Sequence, residues 1–175
     1  MLNRSVSRWL LAVAFAAGLV VLGVPQSAEA QDLPGDMGVG IGSATGASGI
    51  SFKTSLGGNS SFQGVAGTWY GWAGRYRFHT NNLAVAGDYL MEMPSLGGGT
   101  GLDLRWNYGF GGGVGFGNFG GVGLGASGIL GLVFDFSPSD VPLDLALEYR
   151  PGIYFIDSFT FFSPINFSGH LRVWF

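Results

Sequence analysis

Cysteine is absent from the 175 residues, so the chain has neither disulfides to staple it nor thiolates to hold a metal. Histidine is nearly absent: His79 and His170 are the only two, they sit in unrelated segments, and no pair stands at ligand spacing. Charge is scarce too, at 11% of residues with a net value of −3, which leaves no basic footprint for nucleic acid. Beyond residue 30 no apolar run approaches the roughly 20 residues that a membrane-spanning helix requires. What the chain does have is glycine, 33 residues of it, with 15% aromatics and 47% hydrophobic residues overall. A hydrophobic chain without a spanning helix is left with strands as its way of crossing a bilayer.

The first thirty residues read as an export signal. Arg4 and Arg8 precede the apolar run Trp9 to Val24, and Ala28-Glu29-Ala30 offers small residues for cleavage. The alternative, a retained anchor, is disfavoured by the shortness of the run. Cleavage near Ala30 leaves residues 31–175 as one domain.

Period-two alternation fills that domain. It is clearest in Leu102 to Phe134. There Leu104, Trp106, Tyr108, Phe110, Val114 and Phe116 alternate with charged residues and glycines, and Val122, Leu124, Leu130, Leu132 and Phe134 do the same on the way back. A three-residue loop, Gly117-Asn118-Phe119, would pair Phe116 with residue 120 and lay Tyr108 over Gly128. Further strands are expected at Met37 to Ile41, Ile50 to Leu56, from Ser61 onward, Leu83 to Met93, Leu143 to Arg150 and Phe167 to Phe175. Ala44 to Ser48 is read as a turn, Pro94 to Gly101 as the end of the fourth strand, and Pro151-Gly152 as a bulge. The large apolar rank faces a rank of glycines and charges, the reverse of a soluble sandwich. The expected fold is all-β: a closed antiparallel up-and-down transmembrane barrel of eight strands, or ten if residues 61–79 hold an extra hairpin.

The export signal, the eight alternating strands and the carboxy-terminal Leu171-Arg172-Val173-Trp174-Phe175 together resemble the small outer-membrane barrels of the OmpA transmembrane and OmpX type. The resemblance implies the outer membrane of a Gram-negative bacterium as the location, with outer-membrane lipid and the export and barrel-assembly machineries as partners. It also implies that Leu171, Val173 and Phe175 form an assembly signal. It says little about activity, since barrels of this architecture serve as anchors, adhesins and enzymes.

Parity assigns the inner face. Lys53, Arg105, Arg150, Arg172 and His170 would meet Asp88, Glu92, Asp103, Asp144 and Glu148 there, in a paired network that closes the lumen. Inward glycines, Gly109 to Gly115 and Gly121 to Gly125 among them, leave space, so a narrow pore or small-ligand transporter is the alternative. Gly123-Leu124-Gly125-Ala126-Ser127-Gly128 spells a dinucleotide-binding loop, but the strand pattern runs straight through it and no helix follows. Ser168, His170 and Glu148 have the composition of a hydrolase triad. Lipid A deacylases of barrel type carry His-x-Ser with the serine towards lipid; this chain has the reverse order, turned inward, and catalysis is not expected. No cofactor is implied. Trp69, Tyr70, Trp72, Arg75, Tyr76 and Arg77 are candidates for a surface that binds an extracellular partner or glycan, or for an interfacial aromatic girdle. Residues 158–163 share that ambiguity. The expected role is a non-conducting structural or surface-interaction barrel with its activity on the loops, chiefly 69–82 and 156–164.

Overall fold

The computed structural model describes residues 33–69, 83–116, 122–156 and 159–175. The strands are β1 (Met37–Ala44), β2 (Ala47–Gly57), β3 (Ser60–Trp69), β4 (Leu83–Gly98), β5 (Asp103–Phe116), β6 (Val122–Asp135), β7 (Leu143–Tyr149), β8 (Gly152–Ile156), β9 (Phe159–Ser163) and β10 (Phe167–Trp174). All lie in one antiparallel sheet that closes on itself, β1 through β6 in order, then β7, β10 and back to β1. Val39 stands opposite Val173 at the seam. The last residue completes it: Met37 N–H donates to the Phe175 carbonyl at 3.2 Å, and Phe175 N–H donates to that of Met37 at 3.1 Å. Closure matters because it removes the unpaired edges an open sheet would carry.

β7 and β8 are two halves of one stave. Leu130 of β6 opposes Tyr149 before Pro151, and Ser127 opposes Gly152 after it, in unchanged register. The bulge expected at Pro151-Gly152 is not formed towards β6; it lies on the other side, where Tyr149 opposes Phe167 and Gly152 opposes Ser163, so that the extra residue belongs to the facing segment 164–166 and not to Pro151-Gly152. Proline lacks an N–H, but its carbonyl still accepts from Gly128 N–H at 3.0 Å, and that keeps the ladder aligned. β9 pairs with β8 and β10 with β7, one residue out of step with each other, and these two supply the final stave. The fold is a closed antiparallel barrel of eight staves, and among the described residues the only helix is one turn of 3-10 helix at Ser137–Ser139. β3 pairs directly with β4, so the ten-strand count is not needed. The segments 1–30 and 70–82 lie outside the described residues.

Three local expectations are corrected. Phe116 pairs with Val122, Tyr108 with Leu130, and Phe110 with Gly128, a register two residues away from the one a three-residue loop would set. A shift of two leaves every side chain on its own face, so alternation alone does not choose between the two. β4 does not end at Pro94. It absorbs extra residues between Met93 and Gly97, then resumes pairing at Leu104 and Asp103. Residues 159–163 are strand rather than loop: Phe161 turns inward to stack on Tyr154, with ring centroids 5.1 Å apart, while Phe162 points out.

The faces are inverted relative to a soluble protein. Leu130 is 53% exposed, and Ile41, Ile50, Leu132, Leu147, Phe167 and Leu171 are exposed with it, whereas Arg150 and Arg172 are both 0% exposed in the lumen. Met37, Phe175 and the turns after β2, β4 and β6 lie at one end of the barrel, hereafter the terminal end. The β1–β2 turn and the ends of β3, β5 and β8 lie at the other, the loop end.

Candidate functional site

The lumen is the candidate site, and it divides into three layers. Towards the terminal end, Lys53 Nζ lies 2.6 Å from Glu92 Oε1, which also accepts from Ser61 Oγ at 2.5 Å. Arg172 is bidentate on Asp144, at 2.9 and 3.0 Å, and its third nitrogen donates to Gln63 Oε1 at 2.5 Å. Arg105 donates to Asp103 at 3.1 Å and pairs with Asp135. The indole of Trp174 closes this end by lying flat against Gly38, where a Cβ would meet the ring at 2.8 Å.

The middle layer centres on Arg150. It is bidentate on Asp88, at 2.7 and 3.0 Å, and it reaches Glu148 Oε2 through two nitrogens at 2.5 and 2.8 Å. Gln63 Nε2 bridges the two carboxylates, at 3.1 Å to Asp88 and 3.0 Å to Glu148. Because Gln63 also accepts from Arg172, the two arginine clusters form one continuous network across the barrel. Burying a guanidinium is tolerable only when its donors are met in this way. The same network takes up the apparent triad. Ser168 Oγ donates to Glu148 at 2.9 Å and accepts from Arg150 Nε at 2.6 Å, so it is held by those two groups. The serine that reaches the imidazole is Ser51, 2.8 Å from His170 Nδ1, while His170 Nε2 lies 3.1 Å from Glu148. Glu148, a carboxylate, accepts there, so Nε2 carries a proton. Ser51, Glu148, Ser168 and His170 are all buried. Among the described residues, no group of metal-ligating side chains is arranged to hold an ion.

The loop-end layer is where the inward glycines find their use. The β1–β2 turn, Thr45-Gly46, does not project from the rim; it folds into the lumen, and Ala44, Thr45 and Ala47 are fully buried. Gly46 has φ +74°, the left-handed conformation that lets a two-residue turn close. Thr45 Oγ1 lies 2.6 Å from Ser127 Oγ and 3.4 Å from Arg150 Nη1. Its carbonyl sits against Gly113 and its methyl against Gly125. Trp69 lies over the turn and the remaining gap: Cβ atoms at Gly46, Gly115 and Gly123 would approach its ring at 2.6, 2.2 and 2.9 Å. Ala44, Ala47, Val65, Trp69, Ala84, Tyr154 and Ile156 form one apolar cluster there.

The chain matches no family model, no curated protein and no solved structure. The functional reading therefore rests on this geometry.

Trp69 is corrected as a surface residue. At 7% exposure it is part of the lumen filling, and neither a partner surface nor a girdle position. Its parity, shared with Gln63 and Val65, already pointed inward; the aromatic residues that follow it in sequence suggested otherwise. Tyr70, Trp72, Arg75, Tyr76 and Arg77 lie outside the described residues. Leu171 and Val173 face outward, and Phe175 is 72% exposed. The dinucleotide spelling at Gly123–Gly128 lies within β6, where Gly123 accommodates Trp69 and Gly125 accommodates Thr45 and Tyr154. Sequence reasoning missed Asp135, Ser61 and Thr45 as members of the lumen. Asp135 and Ser61 carry the inward parity but stand at strand ends, where alternation merges into a turn. For Thr45 there is no sequence signal, since a turn residue is ordinarily exposed.

Proposed function

We propose that this protein is an integral barrel of the outer membrane of a Gram-negative bacterium, of the general OmpA-transmembrane and OmpX kind, and that it does not conduct ions. The observation that carries the reading is the inversion of its faces: exposed leucine, isoleucine, valine and phenylalanine ring the outside of a closed barrel while its arginines and carboxylates are buried within. Water would penalise that arrangement and lipid favours it. A plugged loop end, a middle layer of mutually satisfied charges and a Trp174 floor support the absence of conduction, because an ion-selective pathway calls for an open bore lined by an excess of one sign. Activity then falls to the loop end, where residues 70–82 hold the sequence candidates for binding a partner or glycan.

Fractionation with outer membranes and heat-modifiable migration on a gel are the expected behaviours, and recovery as a soluble periplasmic protein would refute the membrane assignment. Planar-bilayer recordings of the purified protein are expected to be silent; steady ion-selective channels would overturn the closed-lumen reading. Replacing residues 72–79 is expected to abolish binding to a partner or to cells without affecting insertion.

A further inference from the structure

We propose that the open edge of β9 is a docking site for one extended, uncharged peptide strand of a partner protein, which pairs with β9 and continues the sheet above the β1–β2 turn. The site deepens the loop-end reading, on which it rests, by naming the chemistry of the partner bound there.

The edge arises from unequal strand lengths. β1 pairs with β10 up to Gly42 opposite His170, and Ser43 Oγ then accepts from Gly169 N–H at 3.3 Å. Carried on one for one, that register brings Phe167 level with Thr45 at the tip of the turn, so β9, at Phe159–Ser163, stands wholly past the seam. Among the described residues its only strand neighbour is β8, paired with it from Gly152 opposite Ser163 to Ile156 opposite Phe159. The far side of β8 is taken by β6. Beside β9, on the side of β1, one more strand fits at the usual spacing of ~4.8 Å, because β1 and β2 end below it.

The chemistry of the edge selects its occupant. Edge strands are ordinarily blunted by lysine, proline or a bulge. β9 reads Phe159-Thr160-Phe161-Phe162-Ser163, with none of the three inside it, and its aromatic and β-branched residues favour pairing. Such an edge takes an extended backbone, whose main-chain groups supply the affinity. The surrounding side chains are uncharged: Phe161 packs inward on the cluster that holds Trp69 and Tyr154, while Thr160 and Phe162 are exposed on the outside. A charge on the added strand would find no partner among them, so the strand that fits is uncharged, with apolar residues on its inward side. A second copy does not fit. The open edge points along the wall, over the β1–β2 turn, and a second barrel would meet the outer wall before its own β9 came alongside.

The probe is a capped, fluorescent peptide of about six residues, valine alternating with threonine, added to the full chain folded in detergent micelles. Fluorescence anisotropy is expected to show binding, and the bound peptide is expected to slow hydrogen exchange within residues 159–163 roughly tenfold or more. The same peptide N-methylated at every residue is at least as hydrophobic but cannot donate, and it is expected to bind roughly tenfold or more weakly, the scale of a few lost hydrogen bonds. Equal binding of the methylated peptide would overturn the edge, since partition into the micelle would then explain both. Slow exchange at every amide of 159–163 in the free protein would also overturn it, because the chain would then cover the edge itself, and so would protection confined to residues 70–82. Loss of cell binding on replacing residues 72–79, with no peptide bound at β9, would overturn the edge and leave the loop-end reading standing.

Discussion

The carbonyl oxygen of Thr45 rests against the backbone of Gly113 on the opposite wall, so close that a Cβ on that glycine would lie 2.0 Å from it. A turn from one side of the barrel has thus been packed into space cleared by a missing side chain on the other. Gly128, on the neighbouring strand β6 and facing outward, has nothing within 4 Å of where its Cβ would be.

These two glycines make a matched pair of substitutions. G113V is expected to destabilise the barrel by roughly 1–3 kcal/mol, the usual cost of overpacking against atoms that cannot yield. G128A is expected to stay within about 0.5 kcal/mol of the parent. Denaturant unfolding of the two purified variants, followed by tryptophan fluorescence, gives the comparison, and equal effects would mean that the lumen contact is not under compression.

Glu148 holds Arg150, Ser168, His170 and Gln63 at once. E148A is expected to cost roughly 3–5 kcal/mol, since it leaves a buried guanidinium with Asp88 as its sole carboxylate partner. The same unfolding assay measures it. A loss below about 1 kcal/mol, the scale of an exposed ion pair, would show that the cluster is hydrated.

The outer face offers a test of the proposed membrane environment. Leu130 sits midway along β6, between Tyr108 and Tyr149 on the neighbouring strands. In a bilayer, L130R is expected to cost roughly 2–4 kcal/mol. Folding equilibria in phospholipid vesicles are the measurement. A neutral or stabilising effect there would contradict a lipid-facing wall.

Phe175 joins the barrel seam through its backbone, while its side chain is the most exposed part of that seam. F175A keeps both hydrogen bonds to Met37, so folding in detergent is expected to be nearly unaffected, whereas the inserted fraction in cells should fall. Normal insertion of F175A in cells would remove Phe175 from the assembly signal.

Alternation with a period of two was enough to establish the fold class and to assign faces. A strand offers only two sides, and from Lys53 to Arg172 the charged residues of the described strands keep one of them. Closure at the seam of β1 and β10 leaves no unpaired edge there, which an open sheet of the same strands would carry. What alternation does not encode is height, or what lies across the lumen. A slip of two residues changes no face, so the pairing of Phe116 with Val122 had to come from the closed sheet. The meeting of Thr45 with Gly113, of Trp69 with Gly115 and Gly123, and of Gln63 with both arginine clusters depends on strand tilt and on which staves end up opposite one another. Those are properties of the whole ring, and no local pattern carries them. The glycines of β5 and β6 were legible as room; only the tertiary structure decided that the room is filled by the protein's own turn.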